Sequence, residues 1–442
     1  MSAHHDYVPT REEIVAISSK PVSKKISTLA LAAAGIGLLV FVIGLFVDHD
    51  AAWRSYHQNW LFWTTLSAAG VMFVAVQRIV TARWSRSIIR FLEGYVAFLP
   101  IAIVLLIPTF LFGSHSVFPW THEAYPVHEK AIWYNPAFLI PRDFLILGLF
   151  TFLAIWYISL SVRLDVIHAP DMGGTGFWAN MRAKMRTGTR DERREIHSTH
   201  STQGKIAVAM AIVFGYGFSS IGFDLAMGLS LHFQSTLYGW WFFMSGWVTA
   251  LFIFTLLTLA WRRHLGADQL ITDSHFHDLG KLCFAFTAFF GYLSFSQFLI
   301  IWYGNLPEET HWPRLRFLGG WAPVTLAAMA FAFFLPFLGL VSKAAKLYKK
   351  TLVAFVSAGI IGQWLVRYLE VYPQTYGERA VAAFGFVDAG VTVMFLGIWG
   401  LCYIAFMNNV PKMRLTLMTS PYRDEVQVPC NPETMEPLPA HE

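Results

Sequence analysis

The sequence predicts an all-α polytopic membrane protein of about ten transmembrane helices, and three observations predict it. Hydrophobic residues make up 55% of the chain and charged residues only 14%, where a soluble domain carries about 25% charged residues. Ten apolar runs stand out, at roughly 27–47, 59–80, 91–112, 139–162, 206–228, 238–261, 281–303, 321–341, 351–371 and 380–406. Each is long enough, at ~1.5 Å per residue, to cross a hydrocarbon core ~30 Å thick as a helix. The connections between them differ in charge. One side carries Arg11, Lys20, Lys24, Lys25, Arg83, Arg86, Arg90, the Arg182–Arg194 cluster, Arg262, Arg263, Lys343–Lys350, Lys412 and Arg414. The other carries only Arg54, Lys130, Arg142, Arg314, Arg316 and Arg379. The positive-inside rule then places both termini in the cytoplasm.

In chain order, residues 1–26 form a polar cytoplasmic tail. The first apolar run is full length rather than the short h-region of a cleavable signal peptide. Residues 27–406 form the membrane domain. Its longest periplasmic connection, about 113–138, is dense in aromatics and prolines. That connection is either a protein-docking surface, with Trp120 as a candidate contact, or ordinary interfacial anchoring by Trp and Tyr. The longest cytoplasmic connection, about 163–205, divides the spans into four and six. Its basic run is either a docking strip for a partner or anionic lipid headgroups, or a solvated, partly helical loop. The Gly-rich piece around Gly173–Gly176 lacks the spacing and flanking strand of a phosphate loop. Residues 407–442 form a polar, Pro-rich cytoplasmic tail. The net charge of +5 resides in loops where orientation explains it, so no nucleic-acid partner is expected.

The stretch from His277 to Thr310 organises the rest. It opens with Asp278 and Lys281, crosses a charge-free apolar run, and stops at Asn305, Pro307, Glu308 and Glu309. Inside it Tyr292, Ser294, Ser296 and Gln297 are polar, and a polar group facing lipid is costly, so these should face protein, water or a ligand. Gln297 is a natural partner for a quinone carbonyl, with Tyr292, Trp302 and Tyr303 lining an aromatic pocket beside it. The alternative is interhelical hydrogen bonding and interfacial anchoring. Glu308 and Glu309 either face a hydrophilic partner or cap the turn before His311.

Ionisable residues within spans are functional candidates by default. Glu93 follows Arg90 by one turn and belongs either to a proton path or to a neutralised surface pair. Asp224 lies toward the outer end of the fifth span, as a functional carboxylate or a helix-end cap. Arg367 and Glu370 lie one turn apart near the outer end of the ninth span, and Asp388 about eight residues into the tenth. Antiparallel spans bring Arg367 and Asp388 to depths differing by ~6 Å, so an ion pair between them is expected. A buried polar network joining Asp388, Arg367 and Asp224 in the outer half of the membrane is the corresponding functional expectation.

Cofactor ligands are sparse. Cys283, Cys402 and Cys430 are not spaced as CxxC or CxxCH, so covalent haem and iron–sulfur ligation are not expected. The sixteen histidines read as belonging to tails, loops or helix ends, His57, His128, His168, His232, His264, His275 and His277 among them. A b-type haem held within the spans is therefore not expected, and no metal site is foreseen.

FSQFLIIWYGNLPEET, preceded by DLGK, resembles the shorter of the two NrfD-type (polysulfide-reductase-like) integral membrane subunits of bacterial alternative complex III. SYHQNWLFWTTLSAAG, IRFLEGYVAFLPIAIVLLIPTFLFG and PFLGLVSKAAK extend the resemblance over most of the chain, and FDLAMGLS keeps the family's Asp followed by a polar turn. HSVFPWTHEAYPVHEK matches mainly at its Pro-Trp. The resemblance implies two four-helix bundles flanked by an extra helix at each end, in a bacterial cytoplasmic membrane. It implies a subunit of a quinol:electron-acceptor oxidoreductase with no redox cofactor of its own. Its implied partners are the larger NrfD-type subunit, a periplasmic iron–sulfur subunit and multihaem cytochrome c subunits, which hold the haem c and iron–sulfur clusters. This chain would form half of the membrane sector and contribute a proton pathway or a quinone contact. A secondary transporter and a purely structural anchor are the alternatives. No pair of Gly/Pro-broken spans in corresponding halves supports the transporter.

Overall fold

The apolar runs become ten helices lying side by side, and the protein is an all-α polytopic membrane protein. The computed structural model describes residues 11–82, 84–123, 125, 128–168, 176–187, 192–376 and 384–414. Arg83, Gly173, Gly174, Thr175, Arg379, Cys430 and the outer parts of both tails lie outside the described residues. The spans are Lys24–Val47, His49–Ile79, Ile89–Leu111, Pro136–Ile167, Glu195–Leu229, Tyr238–Leu265, Asp273–Gly304, Gly319–Gly339, Lys349–Gln374 and Phe386–Asn409. No strand occurs among the described residues.

Two boundaries differ from the hydropathy expectation in ways that matter. The second helix starts at His49 rather than near residue 59, separated from the first by Asp48 alone, whose carboxylate accepts the Ala51 N–H at 3.0 Å. Its first turns are polar, yet Arg54, Ser55, His57, Gln58 and Asn59 are buried. They are polar because they face protein, and an apolar-run criterion cannot see a helix that continues through such residues. The tenth span starts at Phe386 rather than 380, which places Asp388 in its first turn.

The second span is the spine of the molecule, with 94% of its most apolar window buried. Spans two to five pack against one another, as do spans six to nine, and the groups meet where span six crosses spans two and five. The first and tenth spans pair closely on the flank. Gly37 makes that pairing possible, because a Cβ there would strike the backbone of Met394 and Gly390. Within a bilayer, where apolar burial gives no advantage over lipid, such close backbone approach supplies dispersion and holds helices together. Two spans depart from regular geometry. The third passes through a 3₁₀ stretch at Gly94–Phe98, and the eighth through a π-helical turn at Ala330–Phe334. Gly362 lies against the backbone of Phe331 and Ala332 in that turn, with no room for a side chain.

Both described chain ends lie on one face, called here the terminal face; the other is the distal face. Three segments interlock on it. The helix Arg11–Ser18 tucks in Ile14, and Ser18 accepts the Lys412 N–H at 3.4 Å. Val22 N–H donates to Asn408 Oδ1 at 2.9 Å, and Lys20 Nζ to the Leu265 carbonyl at 2.8 Å. From the long connection, the helix Phe177–Arg186 sends Arg182 Nη1 to Asn409, at 3.2 Å from its carbonyl and 3.1 Å from Oδ1. The 163–205 connection is thus partly helical, and spans four and five reach further into it than hydropathy suggests.

Candidate functional site

Charged side chains are the costliest cargo of a membrane helix, and this fold gathers them into separate buried clusters. The first lies in the distal half, between the second, third, fourth and fifth spans. Asp224, at the end of the fifth span's long helix, accepts Trp133 Nε1 at 2.7 Å and Arg142 Nε at 3.1 Å, with Arg142 Nη2 at 2.8 Å. Arg142 also lies over the Trp133 ring, 3.9 Å from its centroid. Asp143 is fully buried and its carboxyl group faces that of Asp224. Neither Asp143 oxygen has a hydrogen-bond donor among the described residues. His57 is also completely enclosed in this bundle, its Nε2 2.7 Å from the carbonyl of Leu225, the residue after Asp224, and its Nδ1 without a partner among the described residues. Thr109 Oγ1 is likewise buried and unpartnered among the described residues. Ring contacts run between them: Phe118 meets His57 edge-on and stacks on Phe110, and Phe110 meets Phe144 at a tilt. Buried unpaired polar atoms in a native fold call for an ordered water or ligand. Two adjoining carboxyl groups can share a proton and hand it on.

A second cluster closes the same bundle at the terminal face. Arg90, Glu93 and Asp165 are all fully buried, and Arg90 bridges the two carboxylates. Ser161 Oγ donates to Glu93 at 2.8 Å, and Arg414, arriving from beyond the tenth span, bonds both Glu93 and Ser161. The expected surface pair of Arg90 and Glu93 is therefore a correction. The start of the third span is covered by the fourth span and by the segment carrying Arg414. Two arginines meet two carboxylates here, so the cluster is balanced in charge, which is the condition for burying it at tolerable cost.

The outer ends of the ninth and tenth spans hold two further groups, and the expected pairing is not the observed one. Arg367 is bonded to Glu370 of its own helix, Nη1 to the two carboxylate oxygens at 2.8 and 2.6 Å, and Nη2 donates to the Phe242 carbonyl at 2.7 Å. Arg316 stands close by, its Nε on the Leu369 carbonyl at 3.0 Å and its plane over Trp312. Asp388 belongs elsewhere. It accepts the Gly385 N–H at 2.9 Å and the Tyr372 hydroxyl, with Ser55 alongside, and so caps its helix. The physical reason is the later start of the tenth span: Asp388 sits in its first turn, while Arg367 has a carboxylate within one turn of its own helix. Asp224 lies in the first cluster with Arg142, so the expected single network of Asp388, Arg367 and Asp224 is three separate ones.

No protein-family model and no curated protein gives a significant match to this chain. The geometry therefore carries the functional argument.

The seventh span tests the remaining expectations. It buries one narrow stripe: Phe276, Leu279, Gly280, Cys283, Thr287, Phe290, Leu293, Gln297 and Ile301. Gln297 lies on that stripe with its carbonyl oxygen unpartnered among the described residues. Tyr292, Trp302 and Tyr303 lie off it and are exposed, at 63%, 65% and 85%. The expected aromatic pocket beside Gln297 is not formed, because five residues along a helix turn a side chain through ~140°. Ser294 is bonded to Trp241 Nε1 at 2.8 Å. On the distal face Trp120 is half-buried, stacked on Phe118. Glu308 is exposed and Glu309 half-buried in the first turn of Pro307–Phe317, where carboxylates suit the helix dipole.

Sequence reasoning missed Asp143, Asp165 and His57. Asp143 adjoins Arg142 and Asp165 follows Arg163 by two, and neither position carries a local sign of its burial. The sequence reading puts His57 in a tail, loop or helix end, and the structure corrects this by burying it inside the second helix. Its one signal is the run SYHQN, whose polar residues lead without Gly or Pro into WLFW.

Proposed function

We propose that the chain is an integral membrane subunit of a respiratory quinol:electron-acceptor oxidoreductase of the alternative complex III type. In this reading it lies in a bacterial cytoplasmic membrane, with its terminal face cytoplasmic. It forms half of the membrane sector beside a larger NrfD-type subunit. The distal face meets the iron–sulfur and multihaem cytochrome c subunits that hold the redox centres. One observation carries the reading: the bundle of spans two to five has buried carboxylates at both ends, Glu93 with Asp165 and Asp143 with Asp224. A purely structural anchor has no need of charges that are unfavourable by a few kcal/mol each inside a membrane. The sequence motifs that resemble the family point the same way. The chain's own part is then to move protons between the two clusters and to present a quinone-contacting surface, with electrons passing in its partners.

Gentle solubilisation from the native membrane tests this directly. The expected result is a complex with a c-type haem spectrum and several co-purifying subunits, in which Asp143→Asn leaves assembly intact and abolishes proton release on quinol oxidation. A haem-free homo-oligomer that transports a solute would overturn the reading.

A further inference from the structure

On the distal face, the connection after the third span folds back over residues 114–122, and two histidines meet there. His122 Nδ1 lies 3.1 Å from His115 Nδ1, with the ring centroids 4.4 Å apart and the planes at 77°. The same His122 Nδ1 lies 2.8 Å from the Thr121 hydroxyl, which itself donates to the Phe118 carbonyl at 2.8 Å. An imidazole nitrogen offers either one proton or one lone pair. With the Thr121 proton given to Phe118, His122 Nδ1 must send its own proton to Thr121, and His115 Nδ1 is left facing an occupied nitrogen. If instead His122 Nδ1 presents its lone pair, Thr121 and His115 compete for it. No choice of tautomers gives each of the three contacts a proton of its own; at best one proton on His122 Nδ1 is shared between Thr121 and His115.

A cation resolves the conflict, because both nitrogens can then turn lone pairs to one point while Thr121 keeps its bond to Phe118. Two nitrogens 3.1 Å apart fit a metal at ~2.0–2.1 Å from each, with an N–metal–N angle of roughly 100°. We propose that His115 and His122 chelate a divalent transition-metal ion, zinc or copper, through their Nδ1 atoms. No group of three metal-ligating side chains is formed among the described residues. The remaining positions therefore belong to solvent, and the site is an exchangeable one on an accessible surface, both histidines being exposed. Its place gives it a consequence. Phe118 of the same fold-back covers the His57 ring at 5.2 Å, and the Ser116 carbonyl holds Arg54 Nε at 3.2 Å. A bound metal staples this cover over the buried imidazole. The inference does not depend on the respiratory reading.

The test uses the full chain, or the complex that contains it, without a histidine tag, in lipid nanodiscs and titrated with zinc chloride or copper chloride. Wild-type protein is expected to show one site that His115→Ala and His122→Ala each weaken at least tenfold and the double variant loses. Electron paramagnetic resonance of the copper form is expected to show two imidazole nitrogens, falling to one in each single variant. Both side chains are exposed, so an unchanged Tm in metal-free buffer is the check that the variants fold. Equal metal binding by wild type and the double variant, or a copper spectrum with one imidazole, would overturn the proposal.

Discussion

Arg367 and Glu370 show how a single carboxylate decides the fate of a membrane-embedded cation. Their side chains are about 1% exposed, so removing one partner strands the other. Glu370→Gln is expected to lower stability by ~3–5 kcal/mol. Asp388→Asn keeps a hydrogen-bonding group against Tyr372 and Gly385, and is expected to cost only ~1 kcal/mol. The double change Arg367→Gln with Glu370→Gln should recover most of the loss. Thermal unfolding in detergent reads all three, and a larger loss for Asp388→Asn would show that Asp388 is the true counter-ion. Lys412 poses the opposite problem. It is buried with its ammonium unpartnered among the described residues, and burial pushes its pKa down from 10.5 to about 8. Below pH 8 the folded and unfolded states both carry the charge, and the cost of burying it is present in full. Between about 8 and 10.5 the unfolded chain binds more protons than the folded one, so stability rises with pH across that window. Lys412→Met is expected to stabilise the protein at pH 7 by ~1–3 kcal/mol and to flatten this slope, both read from unfolding midpoints between pH 7 and 10.5.

Among the elements, the pairing of the first and tenth spans depends on what Gly37 lacks. A larger residue there meets main-chain atoms of the tenth span, which have no rotamer to yield. Gly37→Leu should therefore push the helices apart at a cost of ~1–3 kcal/mol. It should also expose the junction at Asn408 and Val22, where the terminal face is clasped. Gly35 supplies the control, since a Cβ there meets nothing within 4 Å. Gly35→Leu is expected to leave the unfolding midpoint and the rate of trypsin cleavage unchanged, whereas Gly37→Leu lowers the first and raises the second. Equal behaviour of the two variants would remove close backbone packing as the cause. The π-helical turn of the eighth span against Gly362 is a second close approach, and the same physics accounts for its glycine.

For the whole molecule, loop charge predicts an orientation that packing does not reveal. Lys184 on the terminal face and Glu308 on the distal face are both exposed. A cysteine at 308 is expected to react with an impermeant maleimide in intact cells, and one at 184 only after lysis. The reverse pattern would invert the topology. The distribution of buried charge is a property of this scale too. Arginine and carboxylate match two to two around Glu93, while Arg142 alone faces Asp143 and Asp224, and two arginines face Glu370. Unequal ratios within a low-dielectric interior leave room for a proton or an ordered water to complete the balance.

By itself the sequence determined an all-α membrane protein and located, to within a few residues at most ends, the ten helices among the described residues that are long and apolar enough to cross a bilayer. That was possible because hydrocarbon thickness imposes a length on every apolar run, and length is read along the chain. It also marked Glu93, Asp224, Arg367, Glu370 and Asp388 as costly residues needing partners. Only the tertiary structure decided who those partners are. Whether a charge meets its counter-ion depends on helix rotation and on which helices are neighbours. Neither has a local signal, so Asp388 found Tyr372 rather than Arg367, Glu93 found Arg414 and Arg90 found Asp165, from distant parts of the chain. Burial of His57 and Asp143 was hidden for the same reason. A polar residue facing the inside of a bundle and one facing water look alike in a sequence, and only packing tells them apart.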